Sequence, residues 1–247
     1  MKIFNFETVN SIPALSHTDK NLLVISDLHL GLEKTMTFKG NYIPQNQLKQ
    51  MKEDISEAKD ITGADRILVN GDLKNQFKTS YSENEEVKEL ANFLNFNFDE
   101  VIIVEGNHDT FLKSNLSERG IEMKDYHIEG RILFAHGDKS LEELEIENLE
   151  NIDTIVIGHE HPAIAMKDDI GVKEKVPALL YGETGDGKNL VVLPAFSKIA
   201  NGTSVNEVPE KELLSPVLKN NASKEEMKAV GISREAGLLE FPKLSKL

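Results

Sequence analysis

The sequence predicts an α/β protein whose strands end in loops of chemically competent side chains, and three observations carry that reading. Five short apolar runs of strand type each stop at a segment of Asp, Asn or His. Segments of helical period separate the first of these runs, and from residue 121 the pattern changes to short strands with little helix between them. Buried parallel strands read as near-continuous hydrophobic runs, and ligands of such sheets gather beyond the carboxyl ends of the strands.

The central run is VIIV at 101–104, which continues as EGNHD and delivers Asn107, His108 and Asp109 in succession. Gly106 is expected to let the backbone turn tightly and approach a ligand. Four other runs repeat the design. LLVI at 22–25 leads into Asp27 and His29, RILV at 66–69 into Asn70-Gly71-Asp72, RILFA at 131–135 into His136-Gly137-Asp138, and TIVI at 154–157 into Gly158-His159-Glu160-His161. Five of the seven histidines sit in these loops; His17, expected in a surface or turn position, and His127, expected to be structural, lie elsewhere.

Taken in order, residues 1–20 form a lead-in with an edge strand around 3–6 and a break at Pro13. Pro44 opens a helix with Leu48, Met51, Ile55 and Ala58 at helical spacing, ended by Thr62-Gly63. A polar loop at 74–81 precedes a capping box at 82–85 and a helix carrying Val87, Leu90, Ala91 and Leu94. A short helix is expected near 111–120, followed by strands at 121–128, 131–135, 154–157, 163–166, 178–181 and 190–193. The acidic stretch 141–153, opened by a second capping box at Ser140 to Glu143, reads as a helix with a solvated face. Residues 193–206 are turn-rich, and 219–247 hold one capped helix at 223–230 and a last strand at 237–241. We expect one α/β domain over 1–247, with the motifs in 22–206 and residues 207–247 packing on that core.

Composition narrows the function. There is no cysteine, hence no thiolate ligand or nucleophile. No apolar leader and no run of membrane-spanning length is present, so a cytoplasmic location is the expectation. A net charge of −14 argues against a broad nucleic-acid-coating role, because such binding is driven by Lys and Arg displacing counterions.

The loops together supply Asp27, His29, Asp72, Asn107, His108, His136, His159 and His161. Carboxylate, imidazole and amide oxygen without thiolate suit Mn²⁺, Fe²⁺ or Zn²⁺, and there are enough donors for two ions. Two ions that share a carboxylate can activate a bridging water and clamp a phosphoryl group for in-line attack. Each motif alone is weak or moderate: D-x-H and G-D occur by chance, and G-H-x-H also suits a pH-sensitive surface pair. Their ordered conjunction after successive strands is specific.

That order, D-x-H, G-D, G-N-H-D, H-G, G-H-x-H, resembles the calcineurin-like metallophosphoesterase superfamily over residues 22–161. Gly71 to Lys74, Gly158 to Ala163 and the stretch from Pro194 to Asn206 further resemble the branch of ligase-associated DNA-damage-response endonucleases and their archaeal relatives. The resemblance implies a four-layer α/β/β/α sandwich with a dinuclear site at the strand ends. It implies Asp27, His29 and His161 on one metal, Asn107, His136 and His159 on the other, and Asp72 bridging. His108 is then the non-ligand that contacts the scissile phosphate and protonates the leaving oxygen, while Asp109 either orients His108 or, the favoured alternative, caps the loop. Asn75 departs from the acidic residue that many members carry three positions past the bridging Asp. The implied activity is a two-metal phosphodiesterase, Mn²⁺ first among Fe²⁺, Zn²⁺, Ni²⁺ and Mg²⁺, acting on a phosphoester that includes nucleic-acid ends or single strands, with nuclease as the specific form. The alternatives are a phosphomonoesterase or nucleotide hydrolase with the same metals, and a non-catalytic scaffold. Lysines follow four motifs, Lys34, Lys74, Lys113 and Lys139; lysine is common in surface loops, and the alternative is that they ring the site, with Lys74 and Lys113 holding substrate phosphate.

Overall fold

The computed structural model describes the chain except Tyr42, Thr79, residues 168–170 and Val172; Thr79 falls in the predicted polar loop 74–81. Seven strands form the first sheet in chain order: β1 (Lys2–Ile3), β2 (Phe6–Val9), β3 (Ile12–His17), β4 (Leu22–Ile25), β5 (Arg66–Asn70), β6 (Glu100–Val104) and β7 (Met123–Lys124). From β4 to β7 neighbouring strands run parallel, with Ile25 level with Val69 and Val69 level with Ile103, so three motif-bearing strands end side by side. Helices α1 (Leu32–Phe38), α2 (Gln47–Thr62), α3 (Tyr81–Asn97) and α4 (Lys113–Ser117) connect or follow these strands.

The second sheet contains β8 (Tyr126–Glu129), β9 (Ile132–Ala135), β10 (Thr154–Ile157), β11 (Pro162–Lys167), β12 (Lys173–Glu183), β13 (Asn189–Val192) and β14 (Thr203–Ser204), ordered β14-β11-β12-β13-β10-β9-β8. After α5 (Pro216–Asn221), β15 (Lys228–Ser233) pairs with β12, and β16 (Gly237–Lys243) pairs with β15. Strands β9, β10 and β13 are mutually parallel.

Period-two alternation explains how apolar runs fill three cores. Leu22, Val24, Leu68 and Val104 face Phe134, Val156, Leu179 and Val191 between the two sheets. Leu23, Ile25, Ile67, Val69 and Ile103 point the other way, against Met51, Ile55 and Ala58 of α2 and Val87, Leu90 and Leu94 of α3. On the far side, Leu133, Ile155, Leu190 and Val192 meet Leu141, Ile152 and, from α5, Val217 and Leu218. The layers are therefore helix, sheet, sheet and a mostly irregular cover containing α5, four layers as expected but with the last one only sparsely helical.

Several local expectations are corrected. Pro13 lies inside β3, opposite a register shift between Thr8 and Val9, where a missing N–H breaks no ladder bond. His17 is buried in the same strand, edge-to-face with Phe6 at 5.4 Å. The cap of α3 is Ser80, not the box at 82–85, with Ser80 Oγ accepting from Glu83 N. At 140–143 the box does form, Ser140 N donating to Glu143 Oε2 (2.7 Å), yet no α-helix follows. Six carboxylates without a cation disfavour propagation, and Leu141 and Ile152 dock on the sheet instead. The helix expected at 223–230 is a short 3-10 turn, Lys224–Glu226, that gives way to β15, because Ala229 and Val230 are buried against β12. Helices α1 and α5 and the separate strands β2 and β3 were not anticipated.

Phe6 is fully buried and packs edge-to-face on both His17 and Phe134 across the sheets. Phe6→Ala is expected to cost about 3–5 kcal/mol in urea unfolding. Phe96→Ser, at a position 90% exposed, should stay within about 0.5 kcal/mol.

Candidate metal centre

The carboxyl ends of β4, β5, β6, β9 and β10 converge where the two sheets meet, and the polar loops begin there. Asn70 stitches the edges together: its Nδ2 donates to Ala135 O (2.9 Å) and Val156 O (3.3 Å) of the opposite sheet. At the turns, Asp27, His29, Asp72, His159 and His161 all adopt left-handed backbone conformations, with φ between +46° and +63°. Asp and His tolerate this region better than most residues, and such strained positions cluster where side chains form a site.

Two groups of donor atoms result. Asp27, His29, Asp72 and His161 each offer a ligand atom within 4.8 Å of the others, and so do Asp72, His136 and His159. Asp72 belongs to both groups, and its Oδ2 lies 3.7 Å from His29 Nε2 and 3.3 Å from His136 Nε2. His161 Nε2 is 2.9 Å from Asp27 Oδ1 and 3.1 Å from His29 Nε2. Asn107, between Gly106 and His108, presents a buried Oδ1 with no hydrogen-bond partner, and His136 Nε2, directed at the same place, is likewise unpartnered. Unpaired buried polar atoms are costly, so converging orphan donors of N and O type fit two divalent cations that share Asp72. His136 Nδ1 faces the Asn70 carbonyl (3.0 Å), which leaves Nε2 directed at the site, as metal-binding imidazoles require.

The electrostatics follow from burial and proximity. Burial alone would raise the Asp27 carboxyl, but His161, His136 and His29 outweigh it and hold the group well below the usual carboxylate range. Burial would lower His136, yet Asp72 and Asp27 push it up to about 10. Burial lowers His29 to about 4. At Asp109, burial and then the Asp72 charge push the carboxyl up to about 7.

Asp109 caps its own loop and its neighbour: Oδ2 accepts from Gly106 N (2.9 Å) and Oδ1 from Leu73 N (2.8 Å). Gly106 has a different reason from the one expected. A Cβ there would stand 2.3 Å from both Asp72 N and Asp72 Oδ1, so the glycine makes room for the shared carboxylate rather than for a ligand. His108 is close without joining either donor group; its backbone N–H donates to Asp72 Oδ1 (2.9 Å), and its Nε2 is 3.9 Å from Asp72 Oδ2.

The two lysines considered for holding phosphate are engaged elsewhere. Lys74 is fully buried, donates to the Gln76 carbonyl, and is pushed below its usual range by burial. Lys113 pairs with Glu105 at 2.7 Å. Lys34 pairs with Glu86, and Lys139 with Asp125 at 3.4 Å. His127 lies in β8 beside Glu129 (3.4 Å), outside both donor groups.

Three supporting residues escaped the sequence reading. Ser26 Oγ donates to Asp27 Oδ2 (2.7 Å). Gln47 Nε2, at the start of α2, donates to Leu28 O (2.9 Å) and Ser197 Oγ (3.0 Å). Glu160, between the two histidines of G-H-E-H, turns away from them: its Oε2 accepts from Leu214 N (2.7 Å) and Ser215 N (2.9 Å), fastening the start of α5 to the metal loop. Only Glu160 carried a signal, as a carboxylate between the two candidate ligands of its motif.

Two outcomes follow. Gly106→Ala should displace Asp72 and lower metal content measured by elemental analysis; undiminished loading at wild-type affinity would contradict this. Because His136 is protonated up to about pH 10 before a cation binds, the cation must expel that proton. Affinity for Mn²⁺ should therefore rise from pH 6 to pH 8, with proton release seen by calorimetry in buffers of different ionisation enthalpy.

The sequence model of the calcineurin-like phosphoesterase family matches residues 20–180. No curated protein sequence matches the chain. Among solved structures, the Pseudomonas putida nuclease MPE is 14% identical, with a TM-score of 0.62 over 94% of this chain and 92% of that one, a likeness of fold. A predicted phosphoesterase from Streptococcus pneumoniae is 12% identical (TM-score 0.34, 89% and 95% covered), and Vps29 from Entamoeba histolytica, crystallised with Zn²⁺, is 16% identical (TM-score 0.36, 90% and 99% covered). The family match spans well over half of the chain and contains every one of the converging donors, so this protein belongs to the calcineurin-like phosphoesterases, metal-dependent hydrolases of phosphoester bonds.

Proposed function

We propose that within this family the chain is a phosphodiesterase acting on nucleic-acid ends or single strands. The observation that carries the reading is the engagement of the lysines around the site. A phosphomonoester brings two negative charges and calls for cationic side chains to receive the second; a diester brings one. Here Lys34, Lys113 and Lys139 are matched with carboxylates and Lys74 is turned inward, which favours the singly charged diester.

Asp27, His29 and His161 would hold one ion, His136, His159 and Asn107 the other, and Asp72 both. When bound, the ions supply Lewis acidity, which makes a water acidic enough to attack and neutralises charge on the phosphoryl oxygens. The donor set itself suits Mn²⁺, Fe²⁺ or Zn²⁺; Mn²⁺ is put first, ahead of Fe²⁺, Zn²⁺, Ni²⁺ and Mg²⁺, by the resemblance to the family. His108 is the proton donor to the leaving oxygen. With Nδ1 against the Asn75 carbonyl, the ring keeps Nε2 toward Asp72, where a proton can be passed to a departing alkoxide. The backbone carbonyl of Asn75 thus fills the orienting place that an acidic side chain would take. The same proposal treats 1–247 as one working unit, supported by the β12–β15 pairing and the Glu160 anchor on α5.

The test is Mn²⁺-dependent cleavage of bis-p-nitrophenyl phosphate beside p-nitrophenyl phosphate. The diester should be the better substrate, and Asp72→Ala should abolish turnover. His108→Ala should lower kcat by roughly 10²-fold or more on esters with poor leaving groups and by less on p-nitrophenyl esters, which need little protonation. Faster turnover of the monoester would replace this reading with the phosphomonoesterase one.

A further inference from the structure

The loop after Asp72 carries an aromatic side chain that neither the donor set nor the core accounts for. Phe77 is 56% exposed, and its ring stacks on His108 with centroids 4.0 Å apart and planes 29° from parallel. Its backbone is secured, because Thr110 Oγ1 donates to the Phe77 carbonyl. The next residue, Phe111, is 71% exposed and has φ +67°. A left-handed conformation is costly for an aromatic residue, and no burial offsets it here. Two exposed rings therefore stand on adjoining backbone at one rim of the site, one of them lying on the imidazole that serves the leaving group.

Charge points the same way. Binding that follows a phosphate backbone needs cationic side chains able to displace counterions. The four motif-following lysines are committed within a protein of net charge −14, so that beside the exposed Lys78 the rim offers chiefly π faces. Base–aromatic stacking holds a strand without reading its sequence.

We propose that Phe77 and Phe111 form a stacking subsite for an unpaired nucleobase on the leaving-group side of the scissile phosphate. This rests on the phosphodiesterase reading and deepens it. His108 serves the leaving oxygen and Phe77 covers that ring, so a base laid on the outer face of Phe77 belongs to the departing nucleoside. A base inside a duplex has both faces covered by its neighbours, which restricts the subsite to single-stranded or frayed ends. Because stacking carries the contact, affinity depends only weakly on salt.

The test compares a deoxyadenosine dinucleotide with an analogue whose leaving nucleoside is abasic, under Mn²⁺, with bis-p-nitrophenyl phosphate as a base-free reference. In parallel, equilibrium binding of a single-stranded oligonucleotide carrying 2-aminopurine is followed by fluorescence at low and high salt. The base should improve kcat/KM by roughly tenfold, within the range for one stacked base. That preference should collapse toward one in Phe77→Leu and Phe111→Ala and persist in Phe77→Tyr, and binding should survive raised salt. Equal turnover of base-bearing and abasic substrates, or a preference unchanged in both variants, would overturn the subsite, as would affinity that falls steeply with salt. Loss of all diester turnover, the reference included, strikes the diesterase reading alone. The binding measurement then still decides: base-dependent affinity that Phe111→Ala removes sustains the subsite, and base-independent affinity refutes it.

Discussion

The placement of one carboxylate governs this structure. Asp72 is almost wholly buried, and its Oδ2 lies within 4 Å of His29, His108 and His136, residues from three different loops. A buried carboxylate among imidazoles is tolerable only if charge is matched, and the matching comes from both sides of the sheet junction. Burial would raise the Asp72 pKa, yet His136 and His29 bring it below the usual value. The same geometry makes Asp72 the only donor common to both groups, among the described residues.

Holding it there constrains the rest of the fold. The carboxyl ends of the parallel strands must lie level, which the registers of β4, β5 and β6 achieve. The two sheets must stay fixed relative to each other, which the apolar layer around Phe6 and Phe134 and the Asn70 bonds accomplish. Five site residues then turn through left-handed conformations, each of which costs of order 1–3 kcal/mol in a general residue and less for Asp and His. Close approach of the loops leaves no space for side chains at their glycines: a Cβ at Gly71 would meet His136 Nδ1 at 2.2 Å.

The parts of this arrangement that depend on strand endings were legible in the sequence. A single apolar run followed by Asp or His is weak evidence, but five such endings in order place Asp27, His29, Asp72, Asn107, His136, His159 and His161 at one edge. What escaped depended on contacts between distant segments. No pattern around Ser26 or Gln47 reveals that they brace Asp27 and the adjacent loop. The lysines after the motifs show the reverse limit, since proximity in sequence to a candidate ligand says nothing of the carboxylate that Lys113 meets at Glu105. At 141–153 and 223–230 local helix signals gave way to docking on the second sheet, as irregular turns in the first segment and as β15 in the second. Phe77 stands in a polar loop where no local pattern reveals that its ring lies on His108.

The central claim is that Asp72 is shared by two metal ions at this edge, and a crystal structure of the Mn²⁺-loaded protein with anomalous scattering tests it most directly. The account predicts two anomalous peaks roughly 3.5–4 Å apart. Asp72 should lie between them, with Asp27, His29 and His161 beside one and Asn107, His136 and His159 beside the other. A single peak, or peaks at which Asp72 contacts only one ion, would contradict it.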